Sequence, residues 1–378
     1  MNVMAKTKIE PMNNGVTVEY EDGGAIRSPW KMAWRKLKRH KLAIAGMWVL
    51  IILHVFAIFA NFFAPYSEVT TDRRRTYHPP TKVHFVSPEG KLTRPYVYGY
   101  NRVDTTRNRY EENPSQVYPI YFFVRGDKYN VFGIETDLRL FGVEAPGKIY
   151  LMGADRYGRD IFSRIAYGGR RSLFIGIVGI IVSLSIGMIY GGVSGYFGGW
   201  IDNLMMRFSE IIVSIPSFYL LLALSAVLPP DLPSDKRFLM IIFILSFIGW
   251  AGIARVIRGM VLSIAKTEFV AGAEAIGCSQ PRIIIRHILP NTLSYVIVSA
   301  TLSIPGFILS ESGLSVIGVG IQHPLASWGN MLSEALNLSA LTRYPWLLIP
   351  GFFIFVTVLS YSFFGDGVRD ALDPRAQL

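Results

Sequence analysis

Long apolar runs dominate this chain, and polar stretches of very different length separate them. The runs cover residues 42–63, 173–196, 204–228, 238–262, 292–319 and 344–364. A helix needs about 20 consecutive apolar residues to cross the hydrocarbon core of a bilayer. The pattern therefore predicts an all-α polytopic membrane protein with six transmembrane helices, the first of them at residues 42–64.

The longest polar stretch, residues 65–150, is rich in Tyr, Pro and Arg and contains no run long enough to span a bilayer. Alternating residues on both sides of Arg-Gly-Asp-Lys at 125–128 predict two strands joined by a turn there, and residues 148–152 predict a further short strand. Such a turn explains the Arg-Gly-Asp triplet better than cell adhesion does. We expect a small β-rich insert between the first two transmembrane helices.

Basic residues cluster immediately before the first apolar run. Seven of them occur with no acidic residue among them, namely Arg27, Lys31, Arg35, Lys36, Lys38, Arg39 and Lys41. Positive flanks stay in the cytoplasm, so residues 1–41 form a predicted cytoplasmic tail. Counting six crossings from there places the insert outside, and places both the loop at 264–290 and the tail at 367–378 in the cytoplasm.

Composition agrees with a membrane protein, since 51% of the 378 residues are hydrophobic and 17% are charged. The net charge of +11 lies mainly beside apolar runs and in the insert, so nucleic acid is not an expected partner. One cysteine, Cys278, excludes an internal disulfide framework, and no spacing typical of a metal site occurs. We expect no cleavable signal peptide, because the first apolar run begins only near residue 42.

The polar loop at 264–290 carries the clearest helix signals. Thr267 is a predicted cap, Glu268 suits the positive end of the helix dipole, and Gly277 suits a left-handed C-terminal residue, which together predict a helix over 268–276. A second helix is predicted to begin at Ser279 and to end at Pro290.

The first of these helices has an apolar face and a narrow profile. Phe269, Ala273 and Ile276 share a face at helical spacing, and small residues at 271–273 and 275 allow close approach by another surface. We interpret it as a docking helix; an amphipathic helix lying on the membrane surface is the alternative.

The order of residues in this loop resembles the coupling loop of ATP-binding-cassette (ABC) importer permeases. Small residues precede Gly277, nine residues follow, and Leu289 and Pro290 come shortly after, while Ala271 occupies the position of the usual glutamate. The coupling residues that the resemblance implies are Glu268, Phe269, Ala271, Gly272, Ala273, Glu274, Gly277, Leu289 and Pro290.

Three further blocks, at residues 153–173, 311–335 and 365–375, resemble the C-type permease subunit of oligopeptide and dipeptide importers. The resemblance implies a type I ABC importer fold with a permease core at 151–366, in a bacterial or archaeal cell membrane. It also implies a B-type permease partner, two ATPase subunits that bind ATP and Mg, and an extracytoplasmic solute-binding protein.

Catalytic motifs are missing from the sequence, including a phosphate-binding loop, so we expect a permease and not an enzyme.

Glu210 and Glu311 lie within apolar runs, where they are either candidates for a translocation path or hydrogen-bonded groups that shape helix packing. Glycines recur every fourth residue at Gly187, Gly191, Gly195 and Gly199, which indicates either a tight helix contact or a flexible helix.

The expected function is passage of oligopeptides or dipeptides by alternating access, driven by the ATPase subunits. Oligosaccharides or other solutes are alternative cargoes for the same architecture. A secondary transporter, or a membrane-anchored sensor or adhesion protein, is a less favoured alternative.

Overall fold

The structure is a computed structural model, and it describes residues 29–87, 90–131, 133–229 and 231–373. The predicted N-terminal tail therefore lies mostly outside the described residues, as do the last five residues of the C-terminal tail.

Helices account for most of the described chain. They are α1 (Pro29–Arg39), α2 (Lys41–Ile58), α3 (Ala60–Phe63), α4 (Ile161–Phe197), α5 (Gly199–Ser214), α6 (Ser217–Ala226), α7 (Ser234–Ile264), α8 (Glu268–Ala275), α9 (Gln280–Arg282), α10 (Leu293–Val316), α11 (Trp328–Leu332), α12 (Leu338–Arg343) and α13 (Ile349–Leu372). Within the described residues, five helical stretches are long and apolar enough to cross a membrane, or six if one bent pair is a single span. The predicted helical membrane protein is confirmed.

The span predicted over residues 204–228 is interrupted in the structure. The chain forms α5 and α6 there, and their axes are bent by 82°. The break lies at Ile215 and Pro216, because proline lacks the amide hydrogen that a continuing helix needs and its ring collides with the preceding turn.

Helix α4 lies at the centre of the bundle and packs against α2, α5, α7 and α10. Its first turns carry charged residues, yet the helix begins at Ile161, well before the apolar run. Helix α13 packs against α2 and α10 on another side, and α1 lies across the last turns of α13. Leu37 of α1 belongs to the same buried apolar cluster as Val368 and Ala371 of α13.

The insert contains a four-stranded antiparallel sheet in the order β1-β2-β3-β4, among the residues that the structure describes. The strands are β1 (His84–Val86), β2 (Leu92–Asp104), β3 (Arg109–Val131) and β4 (Ile134–Val143). A small apolar core that includes Val97, Ile120 and Phe141 lies between this sheet and the start of α4.

The predicted turn at residues 125–128 is wrong, because these residues lie inside β3. Only an irregularity in pairing between Arg125 and Tyr129 marks the position. The chain turns after Val131, where Gly133 adopts a φ of +90°, a conformation that glycine supplies without strain. The predicted strand at 148–152 is also wrong, since those residues form no regular pairing.

Two ends of the helical bundle can now be distinguished. The sheet end carries the insert and the segment between α10 and α13. The loop end carries α1, the turn between α4 and α5, and the loop at 264–290.

Candidate functional site

Helix α8 spans Glu268–Ala275, so the helix predicted over 268–276 is confirmed within one residue. Gly277 has a φ of +81°, which confirms the left-handed ending. The predicted role of the Thr267 side chain is wrong: its hydroxyl donates to the carbonyl oxygen of Ile264 at 2.6 Å and does not cap α8.

The two faces of α8 differ sharply in exposure. Val270 and Ala273 are buried in the bundle, with 0% and 5% of their surface exposed. Phe269 and Ile276 are 47% and 80% exposed. Phe269, Ala273 and Ile276 therefore do not share one environment as predicted. Ala273 packs against the bundle together with Val270, while Phe269 and Ile276 are exposed.

Polar and apolar contacts fasten the loop to α4. The Tyr196 hydroxyl donates to Glu274 Oε1 at 2.8 Å. Leu289 is buried, and its side chain lies 3.2 Å from the position that a Cβ on Gly192 would occupy. The loop is thus in direct contact with the last turns of the central helix.

The second loop helix does not end at Pro290, contrary to the prediction. Helix α9 continues through a π-helical turn, Ile283–Ile288, and a 3-10 turn, Leu289–Thr292, directly into α10. Pro290 lies at the start of the 3-10 turn, where its missing amide hydrogen breaks no required bond. Pro290 is exposed, as are Glu268, Ala271 and Gly272.

Glycines allow α4 to lie very close to α7 behind the loop. A Cβ on Gly187 would lie 2.8 Å from Ile253 Cγ2, and one on Gly195 would lie 2.8 Å from the carbonyl oxygen of Arg258. A Cβ on Gly191 would lie closer still to the Ala254 carbonyl oxygen. Gly199 differs, since it follows α4 with a φ of +55° and has no neighbour within 4 Å of a Cβ position.

A buried carboxylate joins three helices at the same end. Arg258 Nε of α7 donates to Asp202 Oδ1 of α5 at 2.9 Å, and Ser194 Oγ of α4 donates to the same oxygen at 2.5 Å. Sequence reasoning missed this group. The signal that could have found it is an acidic residue at the start of one apolar run and a basic residue near the end of another.

The two glutamates within apolar runs have separate surroundings. Glu210 of α5 is 49% exposed in its side chain and pairs with Arg207 at 3.0 Å. Glu311 of α10 is fully buried, and it accepts hydrogen bonds from Ser315 Oγ at 2.6 Å and Ser172 Oγ at 3.5 Å. In the part of the chain that the structure describes, no group of three or more His, Cys, Asp and Glu side chains could hold a metal ion.

Comparison with protein families assigns most of this helical bundle. Residues 183–378, more than half of the chain, match the family described as "Binding-protein-dependent transport system inner membrane component". The chain belongs to this permease family. Residues 28–80 of the permease also match the "N-terminal TM domain of oligopeptide transport permease C", which confirms the resemblance drawn from the sequence blocks.

Curated relatives of this permease match it over most of its length. It is 34% identical to the dipeptide transport system permease protein DppC of Bacillus subtilis over 344 residues, which cover 91% of this chain and 85% of the relative. It is 35% identical to the oligopeptide transport system permease protein OppC of Haemophilus influenzae over 350 residues, covering 92% and 89% of the two chains.

A solved structure of the MetNI methionine ABC transporter in an inward-facing conformation is similar to this permease at 16% sequence identity with a TM-score of 0.43. The similarity covers 56% of this chain and 96% of that chain.

The block at 153–173 builds a buried charged cluster at the sheet end of the permease. Arg159 Nε lies 2.6 Å from Asp155 Oδ2, and Arg164 Nε lies 3.6 Å from the same oxygen. Glu334 Oε1 lies 3.7 Å from Arg159 Nη2. None of these four side chains is more than 6% exposed. The cluster joins the start of α4 to the segment after α11.

A second ion pair extends this cluster to the start of the insert. Arg171 of α4 contacts both carboxylate oxygens of Glu68, at 2.6 and 2.7 Å. Glu68 Oε2 also accepts the Ala326 amide at 2.8 Å. Bidentate pairing fixes the orientation of both side chains, so the chain after α3, helix α4 and the segment before α11 meet here.

Asp160 caps the N-terminus of α4 beside this cluster. Its Oδ2 accepts the Ser163 amide at 2.8 Å and the Ser163 hydroxyl at 2.6 Å. Its Oδ1 is buried and has no hydrogen-bond partner among the described residues. Burial raises the pKa of Asp160 to about 7. Burial and the nearby Asp155 carboxylate also raise the pKa of Glu334.

Sequence reasoning used this block only as a family feature and assigned no role to its charges. The available local signal was the opposite charges of Asp155 and Arg159, four residues apart, which a turn and not a helix brings together. The partners Glu68 and Glu334 are distant in sequence, and no local pattern connects them to α4.

Proposed function

We propose that the chain is the C-type permease subunit of an ATP-driven importer of oligopeptides or dipeptides. The proposal includes a B-type permease partner, two ATPase subunits that bind ATP and Mg, and an extracytoplasmic solute-binding protein. Its cargo class follows from the named functions of the relatives, which match over most of their own length. Its mechanism rests on one observation, the presentation of α8 at the loop end.

The exposed side of α8 and its neighbours is the proposed contact with an ATPase subunit. Phe269, Ile276 and Ile285 are 47%, 80% and 66% exposed, although all three are large apolar side chains. Exposed apolar groups beside polar ones are typical of protein interaction sites. Small residues Ala271 and Gly272 are exposed between them and would let the partner approach the helix backbone.

The buried side of α8 is the proposed route by which motion reaches the bundle. Val270 and Ala273 pack into the main apolar core, and Glu274 accepts the Tyr196 hydroxyl of α4. The close glycine contact holds α4 against α7, so displacement of α8 would move the two helices together. Such a rigid-body movement suits alternating access.

Packing of the chain ends supports six crossings and not five. Helix α1 precedes the first span, and it lies against the last turns of α13, which ends the final span. Both termini of the bundle are therefore at the same end, which requires an even number of crossings. We assign the bent pair α5 and α6 to one crossing. The basic residues of α1 favour the cytoplasm for this end and the outside for the insert.

A hollow of about 190 Å³ between α6, α7 and α10 is the proposed part of the cargo path in this subunit. Its polar lining consists of Ser217, Ser303 and Ser310. Hydroxyl groups donate and accept hydrogen bonds, so they can replace water around a polar cargo. Glu210 keeps its place as a candidate path residue because its side chain is partly exposed, whereas the buried Glu311 is assigned to helix packing.

Reconstitution tests the cargo and the mechanism separately. The complete complex, with its binding protein, is placed in vesicles and offered a mixed pool of short peptides and oligosaccharides with and without ATP. ATP-dependent peptide accumulation is the expected result. Accumulation of oligosaccharides alone would overturn the cargo, and accumulation without ATPase subunits would overturn the mechanism.

A matched pair of variants tests the docking surface. Phe269→Ser combined with Ile276→Ser removes two exposed apolar groups from the loop end, and we expect the ATPase subunits to be lost during purification. Leu336→Ser combined with Leu338→Ser removes two side chains that are 65% and 72% exposed at the sheet end. These control substitutions are expected to leave the complex intact; equal loss in both variants would contradict docking at α8.

A further inference from the structure

The second half of β3 and all of β4 form a hairpin that lies against the helices where α2 ends. Arg139 Nη1 of β4 donates to the carbonyl oxygen of Ala64 at 3.2 Å, just after α3. The rings of Phe123 and Phe62 are 6.4 Å apart, and those of Phe141 and Phe162 are 5.8 Å apart. The hairpin is thus held at the sheet end of the first transmembrane helix.

Two neighbouring aromatic side chains of this hairpin face outward. Phe122 and Phe123 are 53% and 64% exposed, while Ile120 is buried. Successive side chains of a regular strand point to opposite faces, so the shared exposure marks a local departure from the strand. Phe123 has a φ of +56°, a left-handed conformation that L-residues other than glycine rarely adopt.

These rings continue the exposed apolar surface of α2. Ile52, Val55 and Ile58 of α2 are 64%, 43% and 45% exposed, as expected for a membrane-spanning helix. Phe62 follows Ile58 by four residues, which corresponds to about 6 Å along a helix axis. Its ring neighbour Phe123 therefore lies near the depth of the lipid headgroups, where aromatic side chains are favoured.

A basic residue accompanies the aromatic pair. Arg125 is exposed, and it has no ion-pair partner among the described residues. It lines a hollow of about 560 Å³ together with Phe122, Phe123 and Tyr66. A guanidinium group binds phosphate oxygens through two parallel hydrogen bonds, which is the chemistry that a phospholipid headgroup offers at this depth.

We propose that the β3–β4 hairpin is a membrane contact: Phe122 and Phe123 enter the boundary of the leaflet at the sheet end, and Arg125 binds lipid phosphate. The contact fixes how the insert stands above the bilayer. It depends neither on the cargo nor on the docking of ATPase subunits.

Spin labels test the depth of the hairpin in the complete complex. Cys278→Ala provides a cysteine-free chain, into which either Phe122→Cys or Val117→Cys is introduced for labelling. Val117 is the matched control, because it lies on the same strand and is 50% exposed. The complex is placed in phosphatidylglycerol and phosphatidylcholine nanodiscs, and collision of each label with oxygen and with a water-soluble nickel chelate is measured.

The lipid contact predicts opposite results at the two positions. A label at 122 should collide mainly with oxygen, which concentrates in lipid, and a label at 117 mainly with the nickel chelate. Preference for the chelate at both positions would overturn the proposal. Low collision with both reagents at 122 would also overturn it, since a protein partner would then cover the patch.

A second labelled variant keeps both phenylalanines in place. Leu138 pairs with Arg125 across the hairpin and is 39% exposed, so Leu138→Cys reports the same region. Adding Phe122→Ser and Phe123→Ser should shift its collision ratio toward that of the label at 117, and Arg125→Gln should shift it in the same direction by less. An unchanged ratio in the Phe122→Ser and Phe123→Ser variant would show that these rings do not hold the hairpin on lipid.

Discussion

The two ends of the bundle are held together by different physical means. At the sheet end, buried ion pairs join segments that are distant in sequence, with Asp155, Arg159, Arg164 and Glu334 all nearly inaccessible to solvent. At the loop end, close backbone approach at Gly191 and apolar burial of α8 account for most of the contact. Polar contacts at this end also include the Asp202 carboxylate, which accepts hydrogen bonds from Arg258 and Ser194, and the hydrogen bond from Tyr196 to Glu274.

The difference fits the roles proposed for the two ends. A buried ionic cluster is intolerant of partial separation, because a charge that loses its partner in a low-dielectric site is strongly destabilised. Apolar surfaces and glycine contacts are non-directional and keep helices in contact while they move as a body. The sheet end is therefore the anchored end in our interpretation, and the loop end transmits movement.

Asp155→Ala tests the sheet end most severely. It removes the carboxylate next to Arg159 and Arg164 and leaves two buried guanidinium groups with less compensation. We expect a loss of about 3–5 kcal/mol in stability, seen as a lower unfolding temperature of the complex in nanodiscs.

The control for this variant is an exposed ion pair. Arg207→Ala breaks the contact with Glu210. The Arg207 and Glu210 side chains are 79% and 49% exposed. Exposed pairs contribute about 0–1 kcal/mol, so the unfolding temperature should barely change. Equal effects of the two substitutions on the unfolding temperature would show that the buried ionic cluster is no more important to stability than an exposed ion pair.

Asp160→Asn tests the same end through pH. The pKa of Asp160 is raised by burial from 3.8 to about 7 in the folded chain, so the folded state binds more protons between these values. The contribution of Asp160 to stability is therefore greatest below about pH 4, falls as pH rises to about 7 and stays low above that.

Asparagine remains neutral at every pH while its side-chain oxygen can still cap α4. The variant should unfold near the wild-type temperature at pH 4.5 and above the wild-type temperature at pH 8. At pH 8 its free energy of unfolding should exceed that of the wild type by up to about 4 kcal/mol. Parallel unfolding temperatures across this pH range would show that Asp160 stays ionised in the folded chain.

Gly191→Ala tests the loop end by separating α4 from α7. The added methyl group would meet the Ala254 carbonyl oxygen, so the helices must move apart, at a cost of about 1–3 kcal/mol. Peptide uptake per ATP hydrolysed should fall in reconstituted vesicles. Gly259→Ala on α7 is the control, since no atom lies within 4 Å of its Cβ position; reduced uptake in this variant as well would argue against a specific contact.

Gly277→Val has the smallest expected effect on stability and a specific effect on coupling. Valine at a φ of +81° costs about 1–2 kcal/mol, which should displace the end of α8. ATP hydrolysis should continue while uptake decreases. Gly133→Val, at a φ of +90° in the turn between β3 and β4, imposes similar strain at the sheet end and should keep both activities. Unchanged coupling in the Gly277→Val variant would exclude this role for the glycine.

The sequence predicted those helices and helix ends that depend on neighbouring residues alone. Apolar length located the spans, and Gly277 marked the end of α8, because a helix C-terminus needs a left-handed residue at that point. The family resemblance located the loop as a candidate functional site. The exposed faces of α8 were not predictable, since helical spacing alone did not show which ridge the bundle would cover.

Long-range contacts account for the other differences. The turn at 125–128 was wrong because Gly126 resembled a hairpin turn, while tertiary packing beside Arg139 keeps that glycine within the strand. The continuation through Pro290 depends on a 3-10 turn that joins the loop to α10. The Glu68 contact with Arg171 spans almost the whole insert, and a single sequence contains no local sign of it.

The bend between α5 and α6 has a consequence for water. Helix interruption at Pro216 leaves backbone carbonyl groups of the preceding turn without their usual amide donors. Hydrocarbon cannot satisfy such groups, so non-helical backbone at membrane depth occurs where protein covers it or where a hydrated cavity reaches it. Residues around Pro216 are exposed in this chain. If no partner subunit covers them, hydration should extend to this depth, and hydrogen exchange of the Ser217 amide would detect it.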